Sequence, residues 1–186
     1  GTVTSFANSG SITATASVSA VENLTVAAGT EATVSMSNTL TASATAVFIN
    51  SLTGDFTNSG TIAATASADL AVTASSVSAT TSADINDYDQ HYVFAMGVDI
   101  NDMYSDDPEN PAVFTNSSAL SITAAASSVA SYNLSAAGPS AYISAETLSQ
   151  TVSAYGANID GGEYAIVNSG TISATATGGM TVIASA

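Results

Sequence analysis

The chain has 186 residues, with 15 carboxylates, one histidine and neither lysine nor arginine, giving a formal charge of −15. Nucleic acid and anionic lipid are thereby excluded as partners, because both are held by basic side chains that neutralise phosphate. The absence of cysteine rules out disulfides and thiolate metal sites; the absence of lysine rules out a phosphate-binding P-loop and Schiff-base chemistry.

In chain order, the first element opens on Phe6-Ala7-Asn8-Ser9-Gly10-Ser11-Ile12 and continues as Thr13-Ala14-Thr15-Ala16. Apolar residues at every second position, mixed with threonine and serine, predict a strand. A second strand is expected at Leu24–Ala28, and a fainter one at Ser37-Asn38-Thr39-Leu40-Thr41-Ala42. Phe56-Thr57-Asn58-Ser59-Gly60-Thr61-Ile62 restarts the pattern, with Leu70–Ala74 behind it. The third version is Phe114-Thr115-Asn116-Ser117-Ser118-Ala119-Leu120, and the fourth is Ile166-Val167-Asn168-Ser169-Gly170-Thr171-Ile172, followed by Met180–Ala184. No run approaches the roughly 18 apolar residues of a membrane helix, so no membrane insertion is expected.

The four asparagines are separated by 50, 58 and 52 residues. Fixed periods of this size mark solenoids and arrays, in which one unit cannot bury its apolar face alone and stacked units can. The expected fold is all-β: a parallel β-solenoid, one domain over 1–186, with about two coils of about 20 to 30 residues in each period. Asn8, Gly10, Asn58, Gly60, Asn116, Asn168 and Gly170 are the expected corners. Asparagine bonds nearby backbone there and glycine accepts positive φ, while stacked asparagines can form an amide ladder. The competing fold is an antiparallel sandwich of immunoglobulin or pilin type, which suits alternating strands but not a recurring corner.

The Asn-Ser-Gly-Thr-Ile units with their Ala/Thr/Ser alternation resemble the β-solenoid repeats of large bacterial secreted and surface proteins. Autotransporter passenger domains and filamentous-haemagglutinin-like adhesins are the groups they are most similar to. The resemblance implies an elongated β-helix at the cell surface or outside the cell, used for display, adhesion or fibre formation, and it carries over no catalytic residue.

One stretch departs from this texture. Residues 84–109 hold eight of the 15 carboxylates together with His91, Tyr88, Tyr92, Phe94 and Tyr104. They are expected to form an acidic, aromatic loop inserted in one coil, where Asp87→Ala would be nearly silent. Asp-Ile-Asn-Asp occurs there twice, and calcium takes about six to eight such oxygen ligands. Asp84, Asn86, Asp87, Asp89, Asp99, Asn101 and Asp102 are therefore candidate calcium ligands, although neither copy fits the EF-hand pattern; the competing reading is a solvated loop. His91 is read as structural, and no serine-hydrolase elbow is present. The function expected is non-enzymatic: a subunit or segment of an extracellular filament or surface layer that stacks on its own kind or on the rest of a longer chain. The alternative is the stalk of a large adhesin whose acidic loop binds calcium or a partner.

Overall fold

The computed structural model describes residues 2–117, 121–145 and 148–186. Every regular element in them is a strand: β1 (Phe6–Asn8), β2 (Ser11–Ala28), β3 (Ala32–Ile49), β4 (Phe56–Asn58), β5 (Thr61–Ser78), β6 (Ser82–Met103), β7 (Ala112–Asn116), β8 (Ser121–Ala137), β9 (Ser140–Ala145), β10 (Ser149–Gly161), β11 (Tyr164–Asn168) and β12 (Thr171–Ser185). A short strand is followed by two long walls, and every pairing between strands is parallel. The short strands stack as β1-β4-β7-β11 and the first long walls as β2-β5-β8-β12. The second long walls stack as β3-β6-β10, with β9 also on β6. The chain is a parallel β-solenoid, and the antiparallel sandwich is ruled out.

Each period is one coil, not two. Phe6 pairs with Phe56 and Phe56 with Phe114, so the repeat distance is one full turn of the chain. The second strands expected within each period are continuations of the first: β2 holds both the Ile12 and the Leu24 phrases, and β5 both Ile62 and Leu70. A wall of 18 residues is about 60 Å long at roughly 3.3 Å per residue. The coil is therefore flat, with two long walls face to face and the short strand closing one end.

The interior follows from period two. Even-numbered residues of β5, from Ile62 to Ala74, point inward, and odd-numbered residues of β6 from Ala83 to Ala95 meet them from the opposite wall, before the parity changes to Val98 and Ile100. Alanine dominates this interior: Ala64, Ala66, Ala68, Ala83, Ala95, Ala124 and Ala126 belong to one core cluster with Val34, Leu70, Ile85 and Leu134. A second cluster at the closed end gathers Leu52, Phe56, Ile62, Ile100, Met103, Phe114 and Ile122.

The acidic segment is not a loop over most of its length. Residues 82–103 form β6, the strand paired with β3 on one side and with β9 and β10 on the other. What lengthens the second period to 58 residues falls after it. Leu52 bridges Met103 while Phe56 pairs with Phe114, so the additional residues lie in Tyr104–Pro111. That short segment does carry Asp106, Asp107 and Glu109, with the Asp107 carboxylate accepting from the Glu109 amide and from Asn110 Nδ2.

Candidate functional site

The corner that recurs in every coil is built from asparagine upward. Asn8 Oδ1 accepts from the Gly10 amide at 3.1 Å and Asn58 Oδ1 from the Gly60 amide at 3.2 Å, turning the chain from the short strand into the long wall. The second amide function is left to reach the next coil. Asn8 Nδ2 donates to Asn58 Oδ1, Asn58 Nδ2 to Asn116 Oδ1 and Asn116 Nδ2 to Asn168 Oδ1, each at 2.9 Å. The expected ladder is present and polar: Asn8, Asn58 and Asn116 each donate toward the C-terminal end. Backbone bonds run beside it, from the Ser59, Ser117 and Ser169 amides to the carbonyls of Asn8, Asn58 and Asn116.

Glycine serves this corner through close approach rather than positive φ. Gly161 is the one glycine with positive φ among the described residues. A Cβ on Gly60 would instead overlap the Gly10 carbonyl and crowd Asn8 Nδ2. Ser118, in the third version of the motif, lies outside the described residues. Behind the corner, Phe6, Phe56 and Phe114 stack with ring centroids 4.6 Å apart, near the coil spacing that the sheets impose. Ile166 continues the column on Phe114.

Asn58→Ala tests the ladder. It removes the donor to the buried Asn116 Oδ1 and the best acceptor of Asn8 Nδ2, which keeps only the longer contacts of 3.3 Å with the Gly10 and Thr61 carbonyls. A loss of about 1–3 kcal/mol is expected in urea unfolding.

A second polar constellation lies inside the solenoid. On β6 the inward parity carries Asp87, Asp89 and His91, which are 2%, 0% and 1% exposed. Glu22 of β2, Asn38 of β3, and Ser128 and Tyr132 of β8 take inward positions on the strands around them. Asp89 Oδ1 accepts from the Asn38 amide at 2.6 Å, and His91 Nδ1 lies 2.8 Å from Ser128 Oγ. Both Asp87 oxygens, Asp89 Oδ2, Glu22 Oε2 and His91 Nε2 have no hydrogen-bond partner among the described residues. With no lysine or arginine in the chain, protonation relieves the crowding. Burial raises the Asp87 carboxyl from its ordinary 3.8 to about 7, reinforced by the neighbouring charges of Asp89 and Glu22. Burial lowers the His91 pKa, against the pull of Asp89 and Asp69, and keeps the ring neutral. Burial, then the Asp89 and Asp87 charges, hold the Tyr132 hydroxyl protonated well above its usual range.

The seven calcium candidates do not converge. Asp87 and Asp89 point into the core while Asp84 and Asn86 lie on the opposite face of the same strand. Asp99, Asn101 and Asp102 sit at its far end, about 30 Å or more beyond Asp89 at roughly 3.3 Å per residue. Among the described residues no group of three or more His, Cys, Asp or Glu side chains is arranged to hold a metal ion. A single calcium site drawn from all seven does not fit this strand. Tyr88, Tyr92 and Phe94 line the outer face of β6, where Gln90 links the two tyrosine hydroxyls through bonds of 2.6 and 2.8 Å. Tyr142 and Tyr155 extend that exposed aromatic face on β9 and β10.

No protein-family model matches this chain, and neither a curated protein nor a solved structure is significantly similar to it.

Proposed function

We propose that the chain is a structural solenoid segment of an extracellular filament or surface layer, extended by stacking further coils of its own kind. One observation carries this reading: corner asparagines, stacked phenylalanines and long walls repeat in parallel register from coil to coil, so one interface is used again and again along a single axis. An interface of this kind can be repeated by any further coil of the same pattern, which makes length and surface, not a pocket, what the fold supplies. The likeness to secreted adhesin repeats supports the same setting outside the cell. The stalk of a large adhesin is the second reading, favoured by the exposed Tyr88-Gln90-Tyr92 row, a face suited to a contact partner.

Sedimentation velocity over a range of protein concentrations tests the proposal. Species larger than the 18.2 kDa chain are expected to grow with concentration. Added salt should promote them, because it screens the self-repulsion of a chain carrying −15. A single monomeric species throughout would contradict it.

A further inference from the structure

One stretch of the outer wall is uncharged in a chain that carries −15. The outward residues of β6 there are Asn86, Tyr88, Gln90, Tyr92 and Phe94, with no carboxylate among them. The strands on either side add hydroxyls. Thr41 and Thr151 flank Tyr92, and Ser43 and Ser153 flank Phe94. Because Tyr92 has a paired strand on each side, its 43% exposure looks out from the wall and not along the stack. Tyr88 is equally exposed. Gln90 ties the two tyrosine hydroxyls together, so both rings are drawn along the strand toward position 90 and oriented before anything binds. Beyond them a shallow depression of about 320 Å³ lies at Tyr92 and Phe94, edged by the same four threonines and serines. That is the lower end of the roughly 300–1,000 Å³ typical of small organic ligand sites. From Tyr88 to Phe94 the row runs straight for about 20 Å at roughly 3.3 Å per residue.

We infer that this row binds a neutral polysaccharide, an extended chain of flat pyranose rings. The inference rests on the second reading above, in which this face meets a partner, and adds the partner's chemistry; it does not depend on the stacking of coils. A pyranose with equatorial hydroxyls presents C–H groups on its faces and hydroxyls at its rim. Aromatic rings take the faces, while the threonine, serine and glutamine side chains offer donors and acceptors to the rim. The depression at Tyr92 and Phe94 takes one sugar ring, and Tyr88 carries the chain further along the strand. A straight polymer suits a straight row on a flat wall. Charge selects against other occupants. An anionic glycan would meet no lysine or arginine, and a basic partner would be drawn to the carboxylates that lie outside this stretch. A protein partner would need an apolar interface core, whereas Tyr92 and Phe94 are each set between hydroxyls.

Native electrophoresis through gels containing hydroxyethyl cellulose or mixed-linkage β-glucan tests this, with hyaluronan gels as the anionic comparison. The parent chain is expected to be retarded by a neutral polymer and not by hyaluronan. Tyr92→Ala should weaken that binding about tenfold, and Tyr92→Phe, which keeps the ring, by much less. Gln90→Ala, which frees both rings, should weaken it by an intermediate factor. Val129→Ala, on the outside of the opposite wall, should change nothing. All four variants are expected to melt like the parent, since their side chains point outward. Equal retardation by hyaluronan, or retardation indifferent to Tyr92→Ala, would overturn the inference. A parent that no neutral polymer retards, with Tyr92→Ala melting normally, would overturn the polysaccharide and leave the contact face standing. The same result with Tyr92→Ala melting far below the parent would make the row part of the fold and overturn the contact face as well.

Discussion

Phe56→Asp is expected to leave the chain unfolded at neutral pH, seen as loss of the strand signal in far-ultraviolet circular dichroism. Phe56 is fully buried between Phe6 and Phe114, with ring centroids at 4.6 Å on both sides. Truncating such a ring costs about 3–5 kcal/mol, already a large share of the roughly 5–15 kcal/mol that holds a domain together. The aspartate adds a charge in an apolar column with no lysine or arginine anywhere to pair it. Phe56→Leu, which keeps an apolar side chain in the column, should fold with reduced stability. An aspartate variant that unfolds in urea like the parent chain would mean that the stacked column does not hold the coils together.

The second large effect is a stability that falls as pH rises. Asp87 binds its proton up to about pH 7 in the folded chain and only to about 3.8 in its ordinary state. Between those values the folded state holds more protons than the unfolded one, so this group favours folding fully below pH 4 and progressively less toward pH 7. About three pH units correspond to roughly 4 kcal/mol at about 1.4 kcal/mol per unit, taken as an upper bound. His91 acts in the opposite sense: buried and neutral, it contributes above its ordinary 6.5 and loses that contribution as pH falls. The difference between parent and Asp87→Asn isolates the carboxyl. Asp87→Asn should be the more stable protein at pH 8, by up to roughly that amount, and should lose most of the advantage at pH 4. Urea unfolding at the two pH values measures it, and equal midpoints at both would contradict a buried, protonated Asp87. On a loop, loss of this carboxyl in Asp87→Ala is expected to be nearly silent; the position of Asp87 inside β6 reverses that expectation.

The features legible in the sequence are those with a long period. Asparagine, glycine and phenylalanine recur together because they stack together, so corner, ladder and aromatic column can all be read from spacing. The number of coils per period is not legible in the same way. Alternation at period two looks the same at Ile12 and at Leu24, and nothing in it marks whether a wall continues or turns. Strand β6 is hard to read for a related reason. Its inward parity runs Ala83, Ile85, Asp87, Asp89, His91, Val93, Ala95, and three polar residues in the middle imitate the composition of a loop. The flanks alternate correctly, and Tyr88, Tyr92, Val93 and Phe94 are good strand formers. Glu22 carried a readable signal as well, since it falls on the parity of Ala14, Ala16, Val18, Ala20 and Leu24. Its meeting with Asp87 could not be read, because that depends on which wall of which coil lies opposite.

Keeping carboxylates in the core costs stability, and the structure suggests where that cost is offset. The paired walls are long, and the corner amides of Asn8, Asn58 and Asn116 are used between coils. A chain of this kind gains most of its cohesion from neighbours stacked along one axis.

Cryo-electron microscopy of the material formed at high protein concentration tests that claim most directly. The account predicts filaments one solenoid wide, with layers about 4.8 Å apart along the axis and the asparagine corners aligned in one continuous column across the join between copies. Filaments built by lateral packing of the long walls, with the corner columns interrupted at every copy, would contradict it.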